Sequence, residues 1–282
     1  MSVALRFFGC GLVVLVLAPL VLAAWVLRTC GREAWGLALV VWCQTRWARS
    51  SLWLLGVRLD VEGEPPRGPF VVVANHLSHL DIPVLAALFP GRFVAKSEIA
   101  TWPGVGFVVG LSGTLFVRRG DRTDVPRMVA EMRRTLEAGV GVSFFPEGWA
   151  SRGLEVRRFH AGLLQSAVDG GFPCLPVTLG YDTPESDLAP AWTVAWWGPV
   201  NLFQHLARMM RQGPVVARVR WADEPLVGDE RKALAGALEA EVRARFVPLR
   251  QERVPEALLE GDPAPDEGRG APPGSAAPRS FT

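Results

Sequence analysis

Lysine, cysteine and histidine are all scarce in this chain of 282 residues. Lys96 and Lys232 are the only lysines among 30 basic residues. Arginine therefore supplies almost all the positive charge, and its planar fork suits bidentate contact with phosphate or carboxylate, although a GC-rich genome produces the same bias. The four cysteines, Cys10, Cys30, Cys43 and Cys174, form no Cys-x-x-Cys pair. That argues against a zinc site or a disulfide framework, and we read them as reduced, small apolar residues. A net charge of +2 leaves no electrostatic footprint for nucleic acid. No Gly-x-Ser-x-Gly elbow occurs, which argues against an α/β-hydrolase. No internal repeat is evident. What the chain has in excess is apolar residues, at 49%, with a positive mean hydropathy of +0.21.

The stretch that organises the rest is Phe70 to Asp81, FVVVANHLSHLD. Four apolar residues, Phe70 to Val73, predict a strand buried on both faces. The run stops at Asn75-His76, with Asp81 five positions later. Polar groups at the end of a buried strand are where α/β folds place their chemistry. A histidine beside a carboxylate can act as a general base, because the carboxylate fixes the tautomer and stabilises the imidazolium. His76-x-x-His79-x-Asp81 could be taken for metal ligands. Only His160 and His205 remain, and neither lies in a metal-type motif, so no metal is expected and His79 reads as structural.

Three more stretches place polar groups after apolar runs: Gly113-x-x-Phe116-x-x-Arg119, Phe145-Pro146-Glu147-Gly148, and Leu175-Pro176-Val177. Together with Asn75-His76-x4-Asp81, their order and spacing resemble the 1-acyl-sn-glycerol-3-phosphate (lysophosphatidic acid) acyltransferases and related glycerolipid acyltransferases. The likeness runs from about Leu52 to Phe246. It implies an α/β fold with a mixed, mostly parallel sheet flanked by helices, and His76 and Asp81 as the catalytic pair. It also implies Arg119 as a phosphate-binding arginine, Glu147 and Gly148 in the acceptor site, and Gly113 and Lys96 beside the groove. An ordinary surface lysine is an equal reading of Lys96. The chain departs from the family at Trp149-Ala150, where Thr-Arg is usual. Arg152, Arg157 or Arg158 could cover for the missing arginine. Alternatively the acceptor is not a simple phosphate monoester, as in the lyso-ornithine-lipid acyltransferases, which the later sequence also resembles. Ala195-Trp196-Trp197-Gly198 and His205-Leu206 are similar to a subgroup with a Trp-rich strand and a short helix.

Upstream, Phe7 to Leu27 carries no charge and approaches the ~20 residues needed to cross a bilayer. The run is long for a signal peptide and lacks a small-residue cleavage site, so we read a retained anchor; Pro19 could bend it. Ala34 to Leu55 interleaves Trp35, Trp42, Trp47 and Trp53 with Arg46 and Arg49, a composition suited to the membrane–water interface. Arginines after the apolar run outnumber Arg6 before it, which places the main domain on the cytoplasmic side of the inner membrane.

Downstream, Asp121 to Ala138 predicts an amphipathic helix whose stripe of Val125, Met128, Val129, Met132 and Leu136 is core. Val215 to Trp221 alternates like an edge strand, and Asp229 to Phe246 reads as the closing helix. The organisation expected is an anchor and interfacial helix over 1–56, an acyltransferase domain over 57–248, and a disordered Pro- and Gly-rich tail over 249–282.

The reaction implied by the resemblance is acyl transfer from acyl-CoA or acyl-carrier protein to the free hydroxyl of a lysophospholipid at a bilayer. No cofactor and no nucleic acid are expected. A non-catalytic, membrane-bound lipid-binding protein is the reading from a different class.

Overall fold

The computed structural model describes residues 2–65, 68–102, 105–118, 121, 123–197, 202–211 and 213–252. Arg119 therefore lies outside the described residues, as does nearly all of the expected tail.

Seven strands form one sheet: β1 (Val57–Glu62), β2 (Val71–Ala74), β3 (Gly91–Lys96), β4 (Leu115–Val117), β5 (Gly141–Phe144), β6 (Cys174–Asp182) and β7 (Val215–Trp221). Their order across the sheet is β1-β7-β6-β2-β5-β3-β4. Every pairing is parallel except β6 with β7. This is the mixed, mostly parallel sheet expected from the sequence.

Side chains alternate across β2. Val72 and Ala74 join one apolar cluster and Val71 and Val73 join another. A strand buried on both faces needs apolar residues at every position, and Val71 to Ala74 supplies them. The first face is covered by α2 (Glu33–Leu55), α3 (Asp81–Leu88), α7 (Pro190–Thr193) and α8 (Leu202–Arg211). The second is covered by α5 (Asp124–Glu137), α6 (Gln165–Gly170) and α9 (Arg231–Arg245). The expected stripe of α5 buries Met128, Met132 and Leu136 in this second cluster.

The N-terminal helix α1 (Val3–Thr29) runs back along α2. Gly9 sits against Leu54, and Gly36 sits against the Ala24 carbonyl and Arg28. Arg6 donates to the Leu55 and Met210 carbonyls. Ala48, Leu52 and Leu55 of α2 belong to the main core. Helix α4 (Val105–Leu111) packs near α1.

Three expectations differ from the structure. β7 alternates as predicted, but it is not an edge: β1 pairs with it from Val57↔Val215 onward and takes the edge itself. No Trp-rich strand forms at 195–197. Pro190 opens α7, and the Trp196 N–H is spent on the Leu77 carbonyl at 2.8 Å instead of on a ladder. The ordered body also passes the expected boundary at 248. Leu249 is buried, its N–H donates to the Gly153 carbonyl at 2.8 Å, and Gln251 donates to the Arg152 carbonyl.

Candidate active site

The site is built where β2 and its neighbours β5 and β6 end. Ala74 pairs with Val177, and there the β2 ladder stops. Asn75 extends it with its side chain: Nδ2 donates to the Leu179 carbonyl at 2.9 Å and Oδ1 accepts the Leu179 N–H at 2.7 Å. A buried amide satisfied on both ends locks the turn onto β6.

His76 comes next. Its Nδ1 lies 2.7 Å from Asp81 Oδ2. A carboxylate only accepts, so Nδ1 carries a proton, and in the neutral imidazole Nε2 is the nitrogen with the free lone pair. The His76 ring stacks on Phe145, with centroids 4.1 Å apart and planes 11° apart. Asp81 is fully buried at the start of α3, and Oδ2 also accepts the N–H groups of Leu77 at 2.7 Å and Ser78 at 3.0 Å. Its other oxygen, Oδ1, accepts from the Tyr181 hydroxyl at 2.6 Å. Sequence reasoning gives neither Phe145 nor Tyr181 a role. Phe145 lies inside a recognised motif, whereas Tyr181 carries one signal, that it is the chain's sole tyrosine.

Glu147 lies just past β5, next to β2 in the sheet. Its Oε1 accepts the backbone N–H of His76 at 3.1 Å. Burial pushes its carboxyl up to about 8, against the lowering effects of the His76 and Arg157 amides and the Arg157 charge. Gly148 takes the left-handed conformation (φ +86°) and closes the turn by donating to the Phe145 carbonyl. From there the chain returns to the site, where the Ser151 N–H donates to the His76 carbonyl at 3.0 Å.

Of the remaining expected residues that the structure describes, Lys96 lies further along the same edge, whereas Gly113 precedes β4 at the opposite end of the strands. Lys96 ends β3, two strands from β2, or about 10 Å at normal strand spacing. Gly113 (φ +78°) packs against Val40 of α2, and its carbonyl accepts from buried Arg92, whose guanidinium also reaches Thr135. The contacts of Gly113 are thus with the scaffold. Beyond it, a cavity of about 430 Å³ opens beside β4, lined by Thr114, Phe116, Arg118 and Arg127 among others. It lies three strands from β2, so it is not the cleft around His76.

His79 is not brought to the reacting position. Its ring meets His205 edge-on at 4.8 Å and Trp196 at 5.7 Å. Burial pushes His79 well below the normal imidazole range and His205 down to about 4, so both are neutral. Among the described residues no group of three or more His, Cys, Asp or Glu side chains is placed to hold a metal ion.

Comparison with known proteins gives the family. Residues 58–180 match the family model described as Acyltransferase. The chain is 34% identical over 202 residues to the 1-acyl-sn-glycerol-3-phosphate acyltransferase of Neisseria meningitidis, covering 70% of this chain and 77% of that protein. It is 38% identical over 170 residues to the lyso-ornithine lipid O-acyltransferase of Pseudomonas aeruginosa, covering 59% of this chain and 64% of the relative. Its fold is similar to the crystal structure of the 1-acyl-sn-glycerophosphate (LPA) acyltransferase PlsC of Thermotoga maritima. The TM-score is 0.62 at 23% identity, over 85% of this chain and 90% of the other.

Proposed function

Because this chain belongs to the 1-acyl-sn-glycerol-3-phosphate acyltransferase family of glycerolipid acyltransferases, we propose that it moves a fatty acyl group from acyl-CoA or acyl-carrier protein to the free hydroxyl of lysophosphatidic acid. The observation that carries this reading is the His76–Asp81 pair, with Nε2 left as the basic nitrogen. His76 would take the proton of the acceptor hydroxyl as that oxygen attacks the thioester carbonyl. The C–O bond forms, the tetrahedral intermediate collapses, and the C–S bond breaks. The departing thiolate then takes the proton from the imidazolium. Asp81 holds the imidazole and balances its charge, so no covalent acyl-enzyme is needed. Glu147 and Gly148 shape the turn beside His76. Lys96, at the end of β3, supplies positive charge along the same edge for an acidic headgroup, and Arg119 is the phosphate-binding arginine that the family motif implies.

A second reading, lyso-ornithine lipid as acceptor, is favoured by one residue. Ala150 stands where the family usually carries arginine and brings no charge. Arg157, whose charge acts on Glu147, offers a substitute and keeps the phosphate reading first.

The bilayer is the proposed location. The apolar residues Phe8, Leu12, Leu15 and Trp25 of α1 are exposed. Trp35, Trp42, Arg46, Arg49 and Trp53 form an exposed stripe along α2. Helix α1 is long and apolar enough to span a membrane. Its contacts along α2, which is itself rooted in the core, support a helix lying in the membrane plane.

The test is an acyl-transfer assay with the purified chain in detergent. Labelled acyl-CoA and acyl-carrier protein would each be offered with lysophosphatidic acid, lyso-ornithine lipid and lysophosphatidylcholine. Product from lysophosphatidic acid supports the first reading, and product from lyso-ornithine lipid alone supports the second. No product from any pair would favour a lipid-binding protein.

A further inference from the structure

We propose that Tyr181 is a positioning residue for acyl transfer, its hydroxyl setting the orientation and charge density of the Asp81 carboxylate and, through it, the basicity of His76. The inference rests on the reading of His76 as the base that activates the acceptor hydroxyl.

The carboxylate of Asp81 is shared unevenly. Oδ2 serves three donors: His76 Nδ1, Leu77 N and Ser78 N. Oδ1 serves Tyr181, at 2.6 Å. The backbone donors pin Oδ2 in place, but they do not fix rotation of the carboxylate plane. A fourth donor on the opposite oxygen does. That donor stands on rigid ground. Tyr181 is on β6, paired with Ala217 of β7, two residues after Leu179, which Asn75 clamps from both sides. The phenol is buried in the main core. Burial and the Asp81 charge push its ionisation well above the usual range, so it stays protonated and donates to Asp81.

His76 feels this in two ways. Aligned by two fixed oxygens, Asp81 presents Oδ2 to Nδ1 in one geometry, which orients Nε2 toward the acceptor. In addition, a strong donor on Oδ1 draws charge from the carboxylate, so Asp81 stabilises the imidazolium less than an unshared carboxylate would. The other groups around this centre are accounted for. His79, in the same turn, is neutral. Glu147, after β5, binds the His76 amide and not the ring, and Arg157 acts on Glu147.

The experiment exploits composition. Tyr181 is the only tyrosine in the chain, so growth on 3-fluorotyrosine labels this one position with a more acidic and therefore stronger donor. The full chain, Tyr181→Phe, His76→Ala and the fluorotyrosine protein would be compared by the pH dependence of acyl transfer, by KM for the lysolipid, and by Tm. Tyr181→Phe should lower kcat about tenfold with KM changed by less than about twofold, the loss expected for one charge-assisted hydrogen bond to the orienting carboxylate. Its acid limb should move to higher pH. Fluorotyrosine should move that limb the other way. A purely structural tyrosine would shift Tm and leave both limbs in place. Unchanged kcat and limbs in both proteins, with His76→Ala inactive, would overturn this proposal alone. An active His76→Ala would instead overturn the reading of His76. If Tyr181→Phe does not fold, the fluorotyrosine protein, altered by one fluorine, still decides.

Discussion

Glu147 holds the backbone amide of His76, not its imidazole: Oε1 lies 3.1 Å from His76 N, and Oε2 is buried without a partner among the described residues. The carboxyl therefore acts on the turn that carries the base, and its burial has a measurable signature. Its folded-state value of about 8 stands well above the ordinary carboxyl range. Between pH 4.5 and 8 the unfolded chain has lost this proton while the folded chain keeps it. Stability from this group is therefore full below pH 4.5 and falls as pH rises to 8. Glu147→Gln mimics the protonated acid and should flatten that decline, with a higher Tm than wild type at about pH 8.5 and little difference at about pH 4.5. A Gln variant that declines like wild type would refute the assignment.

The exposed indoles of α2 give a second prediction. Trp35 and Trp53 are 74% and 76% exposed, and Trp42 shares their stripe. Replacing Trp35 and Trp53 by alanine removes apolar area that the fold leaves largely uncovered, so Tm should hold. Partition onto vesicles containing anionic lipid should fall by about tenfold or more, given the interfacial preference of tryptophan. Equal partition by sedimentation would show that α2 does not meet the lipid.

Gly153 tests the strap that succeeds α9. It adopts φ +76°, and a Cβ there would come within 2.6 Å of Leu249 Cγ. Gly153→Ala forces both a left-handed alanine and displacement of a buried leucine, at a cost of about 1–3 kcal/mol. Chemical denaturation should show that loss. An unchanged midpoint would mean that residues 249–251 are not held on the active-site loop.

These predictions differ in how far the sequence alone reaches them. His76 and Asp81 are legible because their five-residue separation closes within one turn, where local geometry decides contact. The buried strand ending in Asn75 is legible for the same reason, since an apolar run and its abrupt stop are local facts. Tyr181 lies 100 residues from Asp81, and their contact depends on β6 pairing beside β2. No local pattern encodes that register. The reading of β7 as an edge fails likewise. Alternation reports that one face of a strand is wet, whereas the edge depends on whether β1, more than 150 residues earlier, pairs with it. Trp196 and Trp197 have strand-favouring side chains, but tertiary context overrides the propensity once the Trp196 amide finds Leu77. Leu249 reads as tail because Pro and Gly dominate the residues after it, and its contact with Gly153 crosses 96 residues.

The central claim is that His76 activates the acceptor hydroxyl, and the most direct measurement is acyl transfer by His76→Ala beside wild type. Lysolipid binding would be followed separately in the same preparation. Loss of turnover by about 10²–10⁴-fold, with lysolipid affinity retained, is the outcome expected for removal of a general base. Turnover within about threefold of wild type would contradict it, since no base contributing at the usual scale could be lost so cheaply.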